Sequence, residues 1–576
     1  MKPGKRFVLI LFGLCLLWYI SAPTGSSGPL LPVEADENSS AEEGIPVKSA
    51  LVVSKCGSCH KQDNEGRLTR ISYQRRTPEG WEQAIKRMVR LNAVTLLPDE
   101  ARQIVKYLSK HHGLAPEESR QSFYEAERRV LGETAPSDSV RLACMQCHGL
   151  GRIQSQRRTP EEWRLLKNLH IGLFPVISSQ GWFRYSLPPG LPIPSDLEQR
   201  DPVDSAMDYF SKTYPLITPE WRTWSANIRS ARLEGRWMLT GSRPGLGRVF
   251  GAVVIESSQA EDEFITRISL KSLKDGSSWT RIGRGIVYGG YSWRGRSNGE
   301  VNNGPDIARE AMLISRDWQT MEGRWFWGGY DELGLDVQLR RVGQEPLIAA
   351  LDPSALKAGS KSEQVTIYGA NLPTDIKAEE ISFGPAVTVS RIISAQNDSI
   401  TVEVNVSESA SNGFYDISIG RYVASDAMAI FDKVDYIKVL PQTGLARLGG
   451  IKYPKQHQQF EAIAYNRGPD GISDTTDDVI IGQVDADWSI EEFPASYTDD
   501  DREFVGTIDK QGLFTPAVEG PNPERKRSGN NFGDVWIVAS YRPEPSQSGA
   551  PTLKARSYLL VTVPQYVRWD MSDVSK

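Results

Sequence analysis

Cysteine is scarce in this chain, with five residues in 576, and one of them, Cys15, lies inside an N-terminal apolar run. The other four fall as two pairs, in CGSCH (56–60) and CMQCH (144–148), so no thiol remains for a structural disulfide or a separate nucleophile. Other absences narrow the chemistry further. There is no G-x-S-x-G, no glycine loop ahead of a helix to cradle phosphate, and no histidine pair at metal-ligand helical spacing, which argues against serine-hydrolase, nucleotide and zinc-peptidase sites. Basic residues are not in excess: the formal charge is −5, giving no reason to expect a nucleic-acid partner. No apolar run reaches the roughly 20 residues of a membrane span.

The longest such run, FVLILFGLCLLWYI, has 14 residues, follows Lys2, Lys5 and Arg6, and leads to the small-residue site ISA ending at Ala22. That is a signal peptide over residues 1–22, with no membrane attachment after cleavage. Residues 23–46 are rich in Pro, Ser and Glu and read as a disordered linker. The rest is too long for one hydrophobic core, so several domains are expected.

What is present is C-x-x-C-H, twice. In this motif two thiols bond the vinyl groups of a c-type haem and the histidine coordinates iron. Zinc would draw on Cys56, Cys59, Cys144 and Cys147 and leave His60 and His148 unexplained, while a thioredoxin-like redox pair would need a βαβ setting. Two covalent haems c are therefore expected, on Cys56, Cys59 and His60 and on Cys144, Cys147 and His148.

Behind each motif the chain repeats itself. RRTPEGWEQAIKRM (75–88) and RRTPEEWRLLKNLH (157–170) share a frame but end on Met88 and His170. In both copies Thr-Pro starts a helix as N-cap and first helical residue, and Glu162 completes a capping box with Thr159. Trp81 and Met88 are seven residues apart, as are Trp163 and His170, so each pair shares one helix face. A c-type haem takes its second axial ligand from farther along the chain, as Met or His. Met88 lies 28 residues after His60, and His170 lies 22 after His148. Both are expected as distal ligands. The repeat sets His111 and His112 opposite Thr213 and Tyr214, which makes these two helix-end surface residues instead.

A thioether favours ferrous iron, so electrons should run from the His148/His170 haem to the His60/Met88 haem and then out. Two six-coordinate irons leave no open position for oxygen or peroxide. Arg75, Arg76, Arg157 and Arg158 are candidates for haem propionates or for solvated helix starts. The two all-α, cytochrome c-like modules are placed at 47–130 and 131–228. The second contains a Pro/Gly-rich insertion whose Trp182, Phe183 and Tyr185 could shield a haem or meet a partner.

After residue 229 the pattern turns to short apolar/polar alternations broken by glycine. An antiparallel β-barrel is expected over 229–344, with its two GRW segments packing inside. An immunoglobulin-like sandwich follows over 345–440, where Ile400, Val402, Val404 and Val406 face one side. A second sandwich is expected over 441–576. Its acidic loop at 468–478 departs from the EF-hand order of ligands and reads as a solvated turn.

Tandem haem motifs, an RRTPExW helix behind each, and three all-β domains in this order resemble the alpha subunit of quinohaemoprotein amine dehydrogenase. The resemblance covers nearly the whole exported chain, and the domain order makes it specific. It implies a bacterial, periplasmic heterotrimer that oxidatively deaminates primary amines. Cysteine tryptophylquinone would sit in a small gamma subunit, beside a β-propeller beta subunit. The alpha chain would relay electrons through its two haems to azurin or a small cytochrome c. Two other readings compete: a di-haem cytochrome c peroxidase, and a non-enzymatic haem-containing binding protein. The first offers no role for the β domains, and neither explains why the chain carries no substrate centre of its own.

Overall fold

The computed structural model describes residues 43–120, 133–145, 147–177, 201–299, 307–450, 452–494, 500–543, 551–566 and 573–575. The signal segment, most of the linker, and Trp182, Phe183 and Tyr185 lie outside them. Among the described residues, no helix is long and apolar enough to cross a membrane.

The N-terminal part runs α1 (Ala50–Cys56), β1 (Gln74–Arg76), α2 (Pro78–Asn92), α3 (Pro98–His111), α4 (Pro116–Ser119), α5 (Asp138–Ala143), α6 (Gly151–Gln154), β2 (Gln156–Arg158), α7 (Pro160–Leu173), α8 (Pro202–Thr213) and α9 (Pro219–Ser225). The expected all-α cytochrome architecture is therefore wrong: the segment before each repeat helix is a strand, and the two strands pair. Their register is antiparallel and symmetric, with Gln74 opposite Arg158, Arg75 opposite Arg157, and Arg76 opposite Gln156. The physical reason is backbone satisfaction. These segments are buried where the two modules meet, away from water, so their amides need protein partners. Just beyond the ladder, Thr77 N–H donates to Ser155 O and Thr159 N–H to Tyr73 O, both at 3.2 Å. The two modules thus approach each other about a local two-fold axis through the Arg75–Arg157 pair.

Each repeat helix starts as its sequence dictates, with the Thr77 and Thr159 hydroxyls accepting from Gly80 N–H (3.3 Å) and Glu162 N–H (3.2 Å). The reciprocal half of the capping box does not form, because Glu162 turns to Arg158 and Arg70 and the Thr159 amide is already taken by Tyr73. Both repeat tryptophans are buried and equivalently anchored. Trp81 Nε1 donates to His112 O (3.0 Å) and Trp163 Nε1 to Tyr214 O (3.2 Å).

Strands β3 (Gly235–Arg243), β4 (Gly247–Ser257), β5 (Glu263–Ser272), β6 (Ser278–Tyr288), β7 (Ser292–Gly299), β8 (Ile307–Ile314), β9 (Thr320–Trp327) and β10 (Leu333–Arg341) pair in sequence order, and β10 closes on β3. The expected barrel is present. Its interior is filled by Trp237, Trp293, Trp325 and aliphatic residues, so the GRW tryptophans pack as core. The barrel backs the haem-motif region: Tyr291 Oη donates to Leu114 O (2.8 Å), Trp224 Nε1 donates to Gly289 O (3.1 Å), and Arg294 pairs with Glu79 of α2.

Residues 347–431 form two four-stranded sheets around a single apolar core containing Ile400, Val402, Val404 and Val406. The last block differs from a two-sheet sandwich: its strands divide among three sheets over one core. Short strands such as Gln458–Gln459 and Gly506–Ile508 pair only with Leu513–Pro516, making a small third sheet that alternation alone does not reveal.

Candidate haem-binding sites

The first motif closes the C-terminus of α1. Cys56 is the last residue of that helix, Gly57 caps it, and the Cys59 and His60 amides fold back onto Cys56 O at 3.2 and 2.9 Å. Burial, and secondarily the neighbouring Cys59, raise the pKa of the Cys56 thiol. His60 Nδ1 hydrogen-bonds Thr69 O at 2.8 Å, which fixes Nδ1 as the protonated nitrogen and presents Nε2 as the coordinating one. Cys56 packs on the same apolar cluster as Trp81, Ala84 and Ile85 of α2. Met88, half-buried in the following turn of α2, is not part of that cluster, and its Sδ lies 3.6 Å from Asn92 Nδ2.

The second motif is gathered more completely. Cys144, Cys147, His148 and His170 line one cavity, closed by apolar side chains including Trp163, Leu166 and Phe210. His148 Nδ1 hydrogen-bonds Gly149 O at 2.9 Å and His170 Nδ1 hydrogen-bonds Leu166 O at 2.8 Å. Each imidazole is thereby set in the tautomer whose Nε2 serves as ligand. Burial, helped by the charges of Arg158, Arg152 and Arg87 and opposed by the hydrogen bond to Leu166 O, lowers the pKa of His170 and so favours the neutral form that binds a metal.

The donor set fits a covalently held haem: two thiols adjoin one imidazole, a second imidazole stands across an apolar cavity, and each ring is oriented by a carbonyl. Cationic groups are also present for the carboxylates such a group carries. Arg76, Arg87, Arg152 and Lys167 line the cavity, with Glu79 the only carboxylate among the described residues.

The repeat arginines divide differently from expectation. Arg75 and Arg157 face neither solvent nor the cavity. Arg75 grips Glu118 through two hydrogen bonds of 2.6 and 2.9 Å, and Arg157 Nε lies 3.2 Å from the same carboxylate. All three are buried on the two-fold axis. Arg158 pairs with Glu162 and stacks over Trp163, while Arg76 stacks over Trp81 and reaches the cavity.

His111 is an exposed helix-end residue, as expected, but His112 is not. Its ring is wholly buried edge-on to Trp81, with no hydrogen-bond partner on either nitrogen, and burial lowers its pKa to about 3. No sequence signal marks it, since its burial depends on α2 packing across α3.

In the acidic loop the carboxylates turn onto their own backbone. Asp478 accepts from Asp474 N–H (2.7 Å) and Asp470 accepts from Ile472 N–H (2.7 Å). Among the described residues, no group of three or more His, Cys, Asp or Glu is arranged to hold a metal ion.

Four family models match the chain in consecutive segments. Residues 47–185 match "Quinohemoprotein amine dehydrogenase A, alpha subunit, haem binding". Residues 230–342, 345–432 and 437–574 match domains II, III and IV of the quinohemoprotein amine dehydrogenase alpha subunit. Among curated proteins, no match is found. A designed fluorescence-activating β-barrel aligns at 21% identity over 19% of this chain and 93% of its own, with a TM-score of 0.16. Mouse cadherin-23 EC22–24 aligns at 11% identity over 58% of this chain and 87% of its own, with a TM-score of 0.14. Structural likeness at that level carries no functional argument.

Proposed function

Because the chain belongs to the quinohaemoprotein amine dehydrogenase alpha-subunit family, we propose that it is the electron-transfer subunit of a periplasmic amine dehydrogenase. In this reading it receives electrons from a cysteine tryptophylquinone in a gamma subunit, within a heterotrimer completed by a β-propeller beta subunit. It delivers them to a soluble acceptor such as azurin or a small cytochrome c. The amine chemistry belongs to the partner.

The observation that carries the reading is the convergence of Cys144, Cys147, His148 and His170 on one cavity. When bound, each haem supplies a one-electron Fe(III)/Fe(II) couple. The protein's own residues then do three things. Cys56 with Cys59, and Cys144 with Cys147, would anchor the group covalently; His60 and His148 present Nε2 because Thr69 O and Gly149 O hold the opposite nitrogen. Met88 and His170, at equivalent positions of α2 and α7, would supply the second protein ligand to each iron. Iron so held would leave substrate no coordination site, which favours electron relay over peroxide chemistry.

The test is anaerobic addition of a primary amine, followed by absorbance in the reduced c-type band. Reduction is expected in the complex isolated from its native periplasm and not in the chain expressed alone. Reduction in neither preparation overturns the reading.

A further inference from the structure

The two expected ligand positions of the repeat differ in more than the ligand, because each is steadied by a different kind of neighbour. On the α7 side the preceding turn does it: His170 Nδ1 donates to Leu166 O at 2.8 Å, four residues back. A helix offers such acceptors readily, since each carbonyl keeps a second lone pair after accepting its helical bond. A thioether cannot use them. Its sulfur is only an acceptor, and beyond the first turn every helical N–H is already committed to a carbonyl four residues back. Within α2, a donor to Met88 must therefore come from a side chain.

The following turn of α2 supplies one. Asn92 Nδ2 donates to Met88 Sδ at 3.6 Å, and helical side chains lean toward the N-terminus, which brings Asn92 back over Met88. Position 92 corresponds to Phe174 in the second copy, whose ring stands 6.3 Å from that of His170 and has no polar hydrogen to offer. The change from Met88 to His170 is thus accompanied by a change one turn on, amide to aromatic. The helix ends differ to match. Asn92 is the last helical residue of α2, and Ala93 stops the helix in the left-handed conformation at φ 54°, its N–H returning to Met88 O. In α7 the last helical residue is Leu173, and Phe174 lies beyond it at φ −139°. Asn92 is therefore held in helical register with the sulfur, although the residue itself is exposed.

We infer that Asn92 is a positioning residue for the first haem, its amide donating to the sulfur lone pair that iron does not take and so orienting the Met88 thioether. This rests on the proposed ligation of that haem by His60 and Met88. The bond acts in two ways. It restrains a side chain with three rotatable bonds, which fixes the direction of the lone pair left for iron. It also draws electron density from sulfur, weakening a donor that ferric iron needs more than ferrous iron, and so raises the potential of the first haem.

The experiment compares Asn92→Leu, Asn92→Gln and Ala93→Gly with the unmodified complex. Both haem potentials are measured by spectroelectrochemical titration, and the thioether–iron bond by its far-red charge-transfer band in the ferric state. Asn92→Leu removes the donor at an exposed position with a residue of better helix propensity, so the fold should be kept. In it the first haem's ferric-to-ferrous ratio at fixed potential should rise about threefold, a fall of about 28 mV at 59 mV per tenfold for one electron, with the second haem unmoved. Asn92→Gln keeps an amide donor and should recover part of that shift. Ala93→Gly eases the left-handed residue and leaves the donor in place, so its potentials should match those of the unmodified complex. An unmoved first potential in Asn92→Leu with the charge-transfer band intact overturns the inference and leaves the ligand assignment standing. The same shift in Ala93→Gly assigns the effect to the helix end and overturns it too. Absence of the band from the unmodified complex removes the ligand assignment, and the inference with it.

Discussion

At the level of single residues, the Met88/His170 difference is the most consequential feature of the repeat. In the proposed ligation, their shared helical position means that one substitution would change the ligand while leaving the surrounding frame alone. His170→Met should raise the potential of one haem and leave the other nearly unchanged, as read by redox titration of the complex. If neither potential moves, His170 is not a ligand. The haem motifs, the two tryptophans and the helix starts were all legible in the sequence, because each is a local pattern whose physics needs only neighbouring residues. His112 was not legible. Its alignment with Tyr214 argued against a ligand common to both modules and implied a surface residue, whereas the ring is buried. Both positions instead use their backbone carbonyl to anchor a tryptophan, and a carbonyl leaves no mark on residue identity.

Among secondary-structure elements, the β1–β2 ladder is what the sequence concealed. Three residues are too few for a period-2 pattern, and each strand's partner lies 82 residues away. The buried arginines follow from the same long-range pairing. Glu118 sits between Arg75 and Arg157 and also accepts from Thr218 Oγ1 at 2.9 Å. Burial alone would raise its pKa, but the hydrogen bond and charge of Arg75, with Arg157, lower it overall. Its contribution to stability is therefore present above its unfolded value, near 4.5, and lost as pH falls through the depressed folded value. Glu118→Gln leaves two guanidinium groups buried without a counter-charge and should cost about 3–5 kcal/mol in urea unfolding. Thr159→Ala, which removes only an N-cap, should cost about 1 kcal/mol. Equal losses for the two would show that Glu118 is not the centre of the junction.

For the whole molecule, the change from the N-terminal region to the barrel could be read from the change in hydrophobic period. How the barrel packs against the modules could not, because contacts such as Tyr291 to Leu114 obey no local rule. The barrel also carries a buried acid. Glu310 faces inward, accepts from Trp293 Nε1 at 2.9 Å, and is pushed by burial up to about 7, despite the opposing influence of Trp293, Ser297 and Arg281. Since its folded pKa lies above its unfolded value of 4.5, the folded chain holds the proton more tightly between those limits. Stability should fall as pH rises through that window, by on the order of 3 kcal/mol at most, and level off above it. Unfolding followed by barrel tryptophan fluorescence near each end of the window should show this slope, and Glu310→Gln should flatten it. A slope unchanged in the variant would assign the titration to another group.

The symmetric ladder also bears on how the two halves of this region could diverge. A residue on the axis faces its own counterpart, so a change at Arg75 or Arg157 alters the environment of both copies at once and is tolerated only with a matching change. Residues farther along α2 and α7 meet different neighbours and drift independently. QRR, the part of the repeat inside the ladder, stands letter for letter in both copies, while Met88 and His170, farther from the axis, differ.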